Sequence, residues 1–147
     1  GAVTYPDDQV AEMLNQYYIP VQVDIQKASQ LADRYQALWT PNLNVIDGRG
    51  RCAYQVMGWL PPSEFVAMLQ IGLGYYHLHR KKFEDAAPLF GEVVERFADS
   101  LYAAEALYFK GVSRYMATQE VDELKTAWTE LQSRYPRSEW AMKADVL

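Results

Sequence analysis

Apolar and polar positions recur with two different periods along this chain, and the change of period divides it. Over residues 7–18 (DDQVAEMLNQYY), Val10, Met13, Leu14 and Tyr17 fall at helical spacing, with Asp7 or Asp8 as the N-cap. Residues 19–25 (IPVQVDI) then alternate, Val21 and Val23 against Gln22 and Asp24, which predicts a strand. Residues 28–38 return to helical spacing through Leu31, Ala32, Tyr35 and Leu38. Pro41 ends that pattern, because the residue before a proline is pushed out of the α region. Residues 42–46 and 51–57 read as two strands joined by Asp47-Gly48-Arg49-Gly50, and so short a Gly-rich link predicts an antiparallel hairpin. After Gly58 and Leu60-Pro61-Pro62-Ser63 the pattern is helical only.

Five helices are predicted there. Residues 63–80 can run as one helix of roughly 18 residues, about 27 Å long at 1.5 Å per residue. Residues 83–97, 101–117 and 121–135 follow, and a fifth helix begins at Glu139 and runs towards Leu147. Pro88 falls inside the second of these, which predicts a kink or a later start. A self-comparison aligns residues 92–106 with 130–144 (ELQSRYPRSEWAMKA) at one constant offset, with Glu, Arg, an aromatic, Ser and two Ala recurring. Ser100 and Ser138 stand where each copy would cap its next helix.

These residues resemble a tetratricopeptide (TPR) array. Leu73-Gly74 supplies its central pair, and Ala86 and Phe90 follow at the expected distance. Gly111, Leu124, Trp128 and Pro136 continue the pattern in the next copy, with one extra residue in its internal turn. The pattern departs at Gln70, His77 and Ala98, which replace the Trp, Tyr and Pro of the repeat. The resemblance covers residues 64–147, two repeats and the start of a third; the plainer alternative is an antiparallel helical bundle. Two repeats need something to cap them. A continuous helix over residues 63–80 would serve the preceding part and the array together and make the junction stiff.

The first part resembles the second half of a bacterial thioredoxin-like domain. The residues that carry the likeness are Thr4-Tyr5-Pro6-Asp7-Asp8-Gln9-Val10, Leu14-Asn15 and Tyr18-Ile19-Pro20-Val21-Gln22-Val23-Asp24. Thr40-Pro41, Asp47-Gly48, Gly50, Gly58, Phe65 and Leu69 continue it. The resemblance implies a cis Thr40-Pro41 bond and a loop of Trp39, Thr40 and Pro41 that offers backbone groups to an extended polypeptide. It also implies that the family's first strands and its C-x-x-C pair would stand before Thr4. The expected fold is therefore α/β then all-α. An incomplete thioredoxin-like domain (helix-strand-helix-strand-strand-helix, residues 1–69) is followed by TPR hairpins over residues 64–147, sharing helix 63–80. The missing strand is the central one of the family's sheet, so residues 21–25 and 42–46 would not pair directly. Two expectations follow: a piece of a longer protein, or a homodimer in which a second copy completes the sheet. That the chain opens on Gly1 rather than Met implies that a tag, a leader or more protein preceded it.

Composition narrows the chemistry. The chain has 147 residues, 50% of them hydrophobic, with a net charge of −5, enough apolar material for a core and too few clustered cations for a nucleic-acid surface. The basic cluster His79-Arg80-Lys81-Lys82 reads as the solvated end of a helix, where cations suit the macrodipole. No stretch approaches the ~20 apolar residues of a membrane span. One cysteine, Cys52, excludes an internal disulfide and dithiol chemistry, which needs a nucleophilic thiolate and a resolving thiol. Cys52 reads as a structural or partly exposed free thiol. His77 and His79, two apart, point in different directions on a helix and do not make a metal site; no catalytic group, metal or cofactor is implied. Gly48 and Gly50 lie between strands rather than before a helix, unlike a phosphate loop. Trp39 and Trp59 flank the hairpin and would either line a groove or, as the first expectation, pack in the core. Two functional readings remain. As it stands the chain is a non-catalytic module that binds polypeptide through its helical array and its Thr40-Pro41 loop. The alternative is the C-terminal part of a thiol–disulfide oxidoreductase whose C-x-x-C precedes residue 1.

Overall fold

The computed structural model describes residues 7–146, so Thr4, Tyr5 and Pro6 of the amino-terminal motif, with Gly1 and Leu147, lie outside the described residues. Among the described residues the chain is mostly helical, with seven helices and one two-stranded antiparallel sheet, an α/β part followed by an all-α part. It divides into two compact units, Gly1–Leu69 and Gln70–Leu147.

In the first unit, α1 (Asp8–Tyr17) begins where Asp7 Oδ1 accepts from the backbone N–H of Gln9 at 3.0 Å and of Val10 at 3.2 Å. That satisfies two donors that the first helical turn leaves unpaired. Val10 and Met13, one turn apart, are buried. At the end of α1 the Tyr18 hydroxyl donates to the Leu69 carbonyl at 2.5 Å, and burial holds its pKa above the ordinary tyrosine range. Further buried side chains come from Val45 of β1 (Asn42–Ile46) and from Phe65, Val66, Met68 and Leu69 of α3 (Pro62–His79).

β1 pairs with β2 (Cys52–Met57) in the register Asn42↔Met57 to Val45↔Tyr54, with an irregularity between Val45 and Ile46. Asp47 organises the turn. Its carboxylate accepts from the Arg51 backbone N–H at 2.9 Å, the Arg51 Nε at 2.7 Å and the Arg49 N–H at 2.8 Å. These bonds, that of the Arg51 backbone first, push the Asp47 pKa down to about 2. Gly50 closes the turn at φ +77, and a Cβ there would also stand 2.8 Å from Arg34 Nη2.

Two predicted elements of this unit are corrected. Residues 19–25 form no strand. A strand needs a neighbour for its backbone groups, the sheet among the described residues consists of β1 and β2, and residues 19–23 make no backbone hydrogen bond to another described residue. Asp24 instead starts a turn, its carbonyl accepting from Lys27 and Ala28 and its Oδ1 from Gln26. The second helix, α2 (Ser29–Arg34), is shorter than the predicted 28–38 and ends well before Pro41. Gln36 takes the left-handed conformation (φ +50), while Ala37 N–H bonds to Ala32 O and Gln36 N–H to Asp33 O. That is a Schellman ending.

The second unit is helical. α4 (Phe83–Arg96) packs on α5 (Ala103–Thr118), α5 on α6 (Val121–Arg134), and α7 (Glu139–Lys143) against both α5 and α6. Pro88 does not delay α4, which is helical from Phe83. The proline removes only the bond to the Glu84 carbonyl, in the first turn. α5 starts at Ala103 rather than Leu101, and Ser100 Oγ accepts from Tyr102 N–H just ahead of it instead of capping it. Ser138 does cap α7, accepting from Ala141 N–H at 3.0 Å; α7 ends at Lys143. Two helix glycines mark close approaches. A Cβ on Gly74 would stand 2.7 Å from the Phe90 ring, and one on Gly111 2.8 Å from Ala127 Cβ and 3.3 Å from Trp128. Phe90, Leu107 and Leu131 are fully buried.

Candidate functional site

The loop singled out in the sequence enters β1 directly. The Thr40–Pro41 peptide bond is cis, as the resemblance implies for this pair. The Pro41 carbonyl accepts from Gly58 N–H at 2.9 Å, extending the hairpin by one pair beyond Asn42↔Met57. Gly58 sits at φ +103, a conformation that favours glycine. Thr40 is exposed, and its own N–H and C=O make no hydrogen bond to a described residue.

Antiparallel pairs alternate between hydrogen-bonded and open. Because Pro41 and Gly58 are bonded, Asn42 and Asn44 turn their backbone groups away from β2. Thr40, Asn42 and Asn44 thus form a free backbone edge, with no third strand among the described residues. Side chains stiffen this end. Asn44 Nδ2 and Gln55 Nε2 both donate to Asn42 Oδ1, at 2.6 and 3.1 Å, and Gln55 Nε2 also donates to the Tyr35 carbonyl. Tyr35 hydroxyl donates to Gly50 O at 2.8 Å, tying the end of α2 to the turn.

The core reading of the two tryptophans is corrected. Trp39 is 71% exposed and Trp59 57%, and Leu38 beside Trp39 is 84% exposed. Residues 19–23, whose backbone bonds to no other described residue, are also open, with Ile19 92% and Val21 78% exposed. This unit therefore presents apolar side chains beside unpaired backbone groups. The sequence pointed to Trp39, Thr40 and Pro41 and missed the edge at Asn42 and Asn44. The hairpin register contained that signal, since a two-stranded sheet leaves alternate residues of each strand unpaired.

Among the described residues the loop is accompanied by one thiol and no cluster of metal-ligating side chains. Cys52 is an exposed free thiol at the start of β2, and partial desolvation of its sulfur raises its pKa. That shift makes it a poorer source of thiolate. His77 packs edge-on against Tyr76, while His79 lies 6.3 Å from the Tyr75 ring. Among the described residues, no group of three His, Cys, Asp or Glu side chains is placed to hold a metal. Arg80, Lys81 and Lys82 are exposed at the end of α3.

In the second unit, one aromatic series links the helices. Phe109 lies 5.0 Å from Tyr75 and 5.4 Å from Trp140, and Tyr108 stacks on Trp128 at 4.7 Å. The Tyr75 hydroxyl bonds to Glu105, and Lys143 Nζ stands 4.1 Å over the Trp140 ring. Tyr108, Phe109 and Trp140 are half-buried, so α5 and α7 share a partly apolar surface. A cavity of about 210 Å³ beside α6 is lined by Lys125, Trp128, Gln132 and Asp145, among others. No helix among the described residues is long and apolar enough to cross a membrane. No protein-family model, no curated protein and no solved structure matches the chain.

Proposed function

We propose that this chain is a non-catalytic polypeptide-binding module, made of an incomplete thioredoxin-like domain followed by a TPR-like array. The observation that carries the reading is the open edge of β1. Thr40, Asn42 and Asn44 have outward backbone groups, and the exposed Trp39 and Trp59 flank them. Extended polypeptides add to such edges through main-chain bonds and gain further from aromatic contacts. The TPR-like reading is supported by a repeated internal relation: Gly74 against Phe90 and Gly111 against Ala127 and Trp128, each glycine admitting a large or close neighbour from the following helix. The homodimer reading rests on the same unpaired backbone.

The test uses the whole chain and a reduced, carboxymethylated, permanently unfolded protein as probe, with binding followed by tryptophan emission and calorimetry. The expected result is saturable binding that Trp39→Ala weakens about tenfold, or about 1.4 kcal/mol, with an unchanged circular dichroism spectrum because the side chain is exposed. Absence of binding at about 100 μM, a concentration corresponding to a free energy weaker than about −5.5 kcal/mol, overturns the proposal. Binding that survives Trp39→Ala but is lost in Trp140→Ala moves the site to the helical array. The oxidoreductase alternative is separated by an extended protein that includes any upstream C-x-x-C. If that protein reduces a test disulfide, the non-catalytic reading fails for the parent and holds only for this chain.

A further inference from the structure

We draw no further inference here: the strongest candidate, the exposed segment of residues 19–23 between α1 and α2, presents unpaired backbone, but nothing in the structure shows what covers it.

Discussion

Replacing Gly74 by alanine tests the helix packing of the second unit most directly, and Gly91 supplies its internal control. Both glycines lie inside helices, α3 and α4, and alanine at either gains about 0.8–1 kcal/mol of helix propensity. Their surroundings differ. At Gly74 a Cβ would meet three atoms of the Phe90 ring, at 2.7, 2.8 and 2.9 Å. At Gly91 the nearest atoms are Cδ and Cε of Lys110, both at 3.8 Å, which is ordinary contact. Phe90 cannot easily retreat. It is fully buried, edge-on to Tyr75 at 5.4 Å and beside Phe109 at 5.9 Å. Overpacking of this kind costs about 1–3 kcal/mol.

The propensity gain is common to both variants, so the difference in stability between Gly74→Ala and Gly91→Ala isolates the clash at about 1–3 kcal/mol. Gly91→Ala should be more stable than the parent by up to about 1 kcal/mol, and Gly74→Ala less stable by up to about 2. In melting temperature the two should differ by about 2–12 °C for a chain of this size. Urea unfolding followed by far-UV circular dichroism measures the gap. Phe90→Leu adds a second reading, because shortening the ring should cost less in the Gly74→Ala background than in the parent. The coupling should be about 0.5–3 kcal/mol. Equal stabilisation by the two glycine replacements, with no coupling to Phe90, refutes the close approach of α3 and α4 at this point.

Gly111→Ala should behave like Gly74→Ala, because its Cβ would stand 2.8 Å from Ala127 Cβ; denaturant unfolding of the single variant checks it. Tyr18→Phe should cost about 0.5–1.5 kcal/mol through loss of the bond to the Leu69 carbonyl. In the parent, Tyr18 should resist ionisation in an alkaline absorbance titration, and Tyr18→Phe should remove its late contribution. The Asp47 carboxyl should titrate near 2 by NMR, below its ordinary value near 3.9. Because the folded pKa is depressed, its support of the hairpin is complete above the ordinary value and lost as pH falls through about 2. Asp47→Asn should remove that pH dependence and speed hydrogen exchange at Arg51 N–H. Cys52 should react with a maleimide in the folded chain, with the rate still rising at a pH where an unperturbed thiol has levelled off.

The helical half was legible because its signals are local. Apolar spacing and the Ser138 cap each act within a few residues of chain, and the helices appear within two residues of where the pattern puts them, apart from the short α7. The hairpin was legible for the same reason, since Asp47 bonds residues two and four ahead of it. The end of α2 was hidden because glutamine, not glycine, occupies the left-handed position at 36. Residue identity gives little warning of a Schellman ending without glycine, and Pro41, the visible stop signal, lies beyond the true one.

Residues 19–25 mark the limit of reading from pattern. Their alternation specifies which side chains would share a face, but a strand exists only when a second backbone supplies its donors and acceptors. Nothing within the seven residues can supply them, and Pro20 contributes no N–H at all. The same constraint governs the loop at Trp39–Pro41. The sequence identified its residues, whereas its availability to a partner follows from pairing: Pro41 is committed to Gly58, while Thr40, Asn42 and Asn44 face outward with no strand beside them among the described residues. The legible part of the candidate site is thus its side chains. The part that would bind an extended polypeptide is backbone, and its freedom is a property of the sheet rather than of any residue in it.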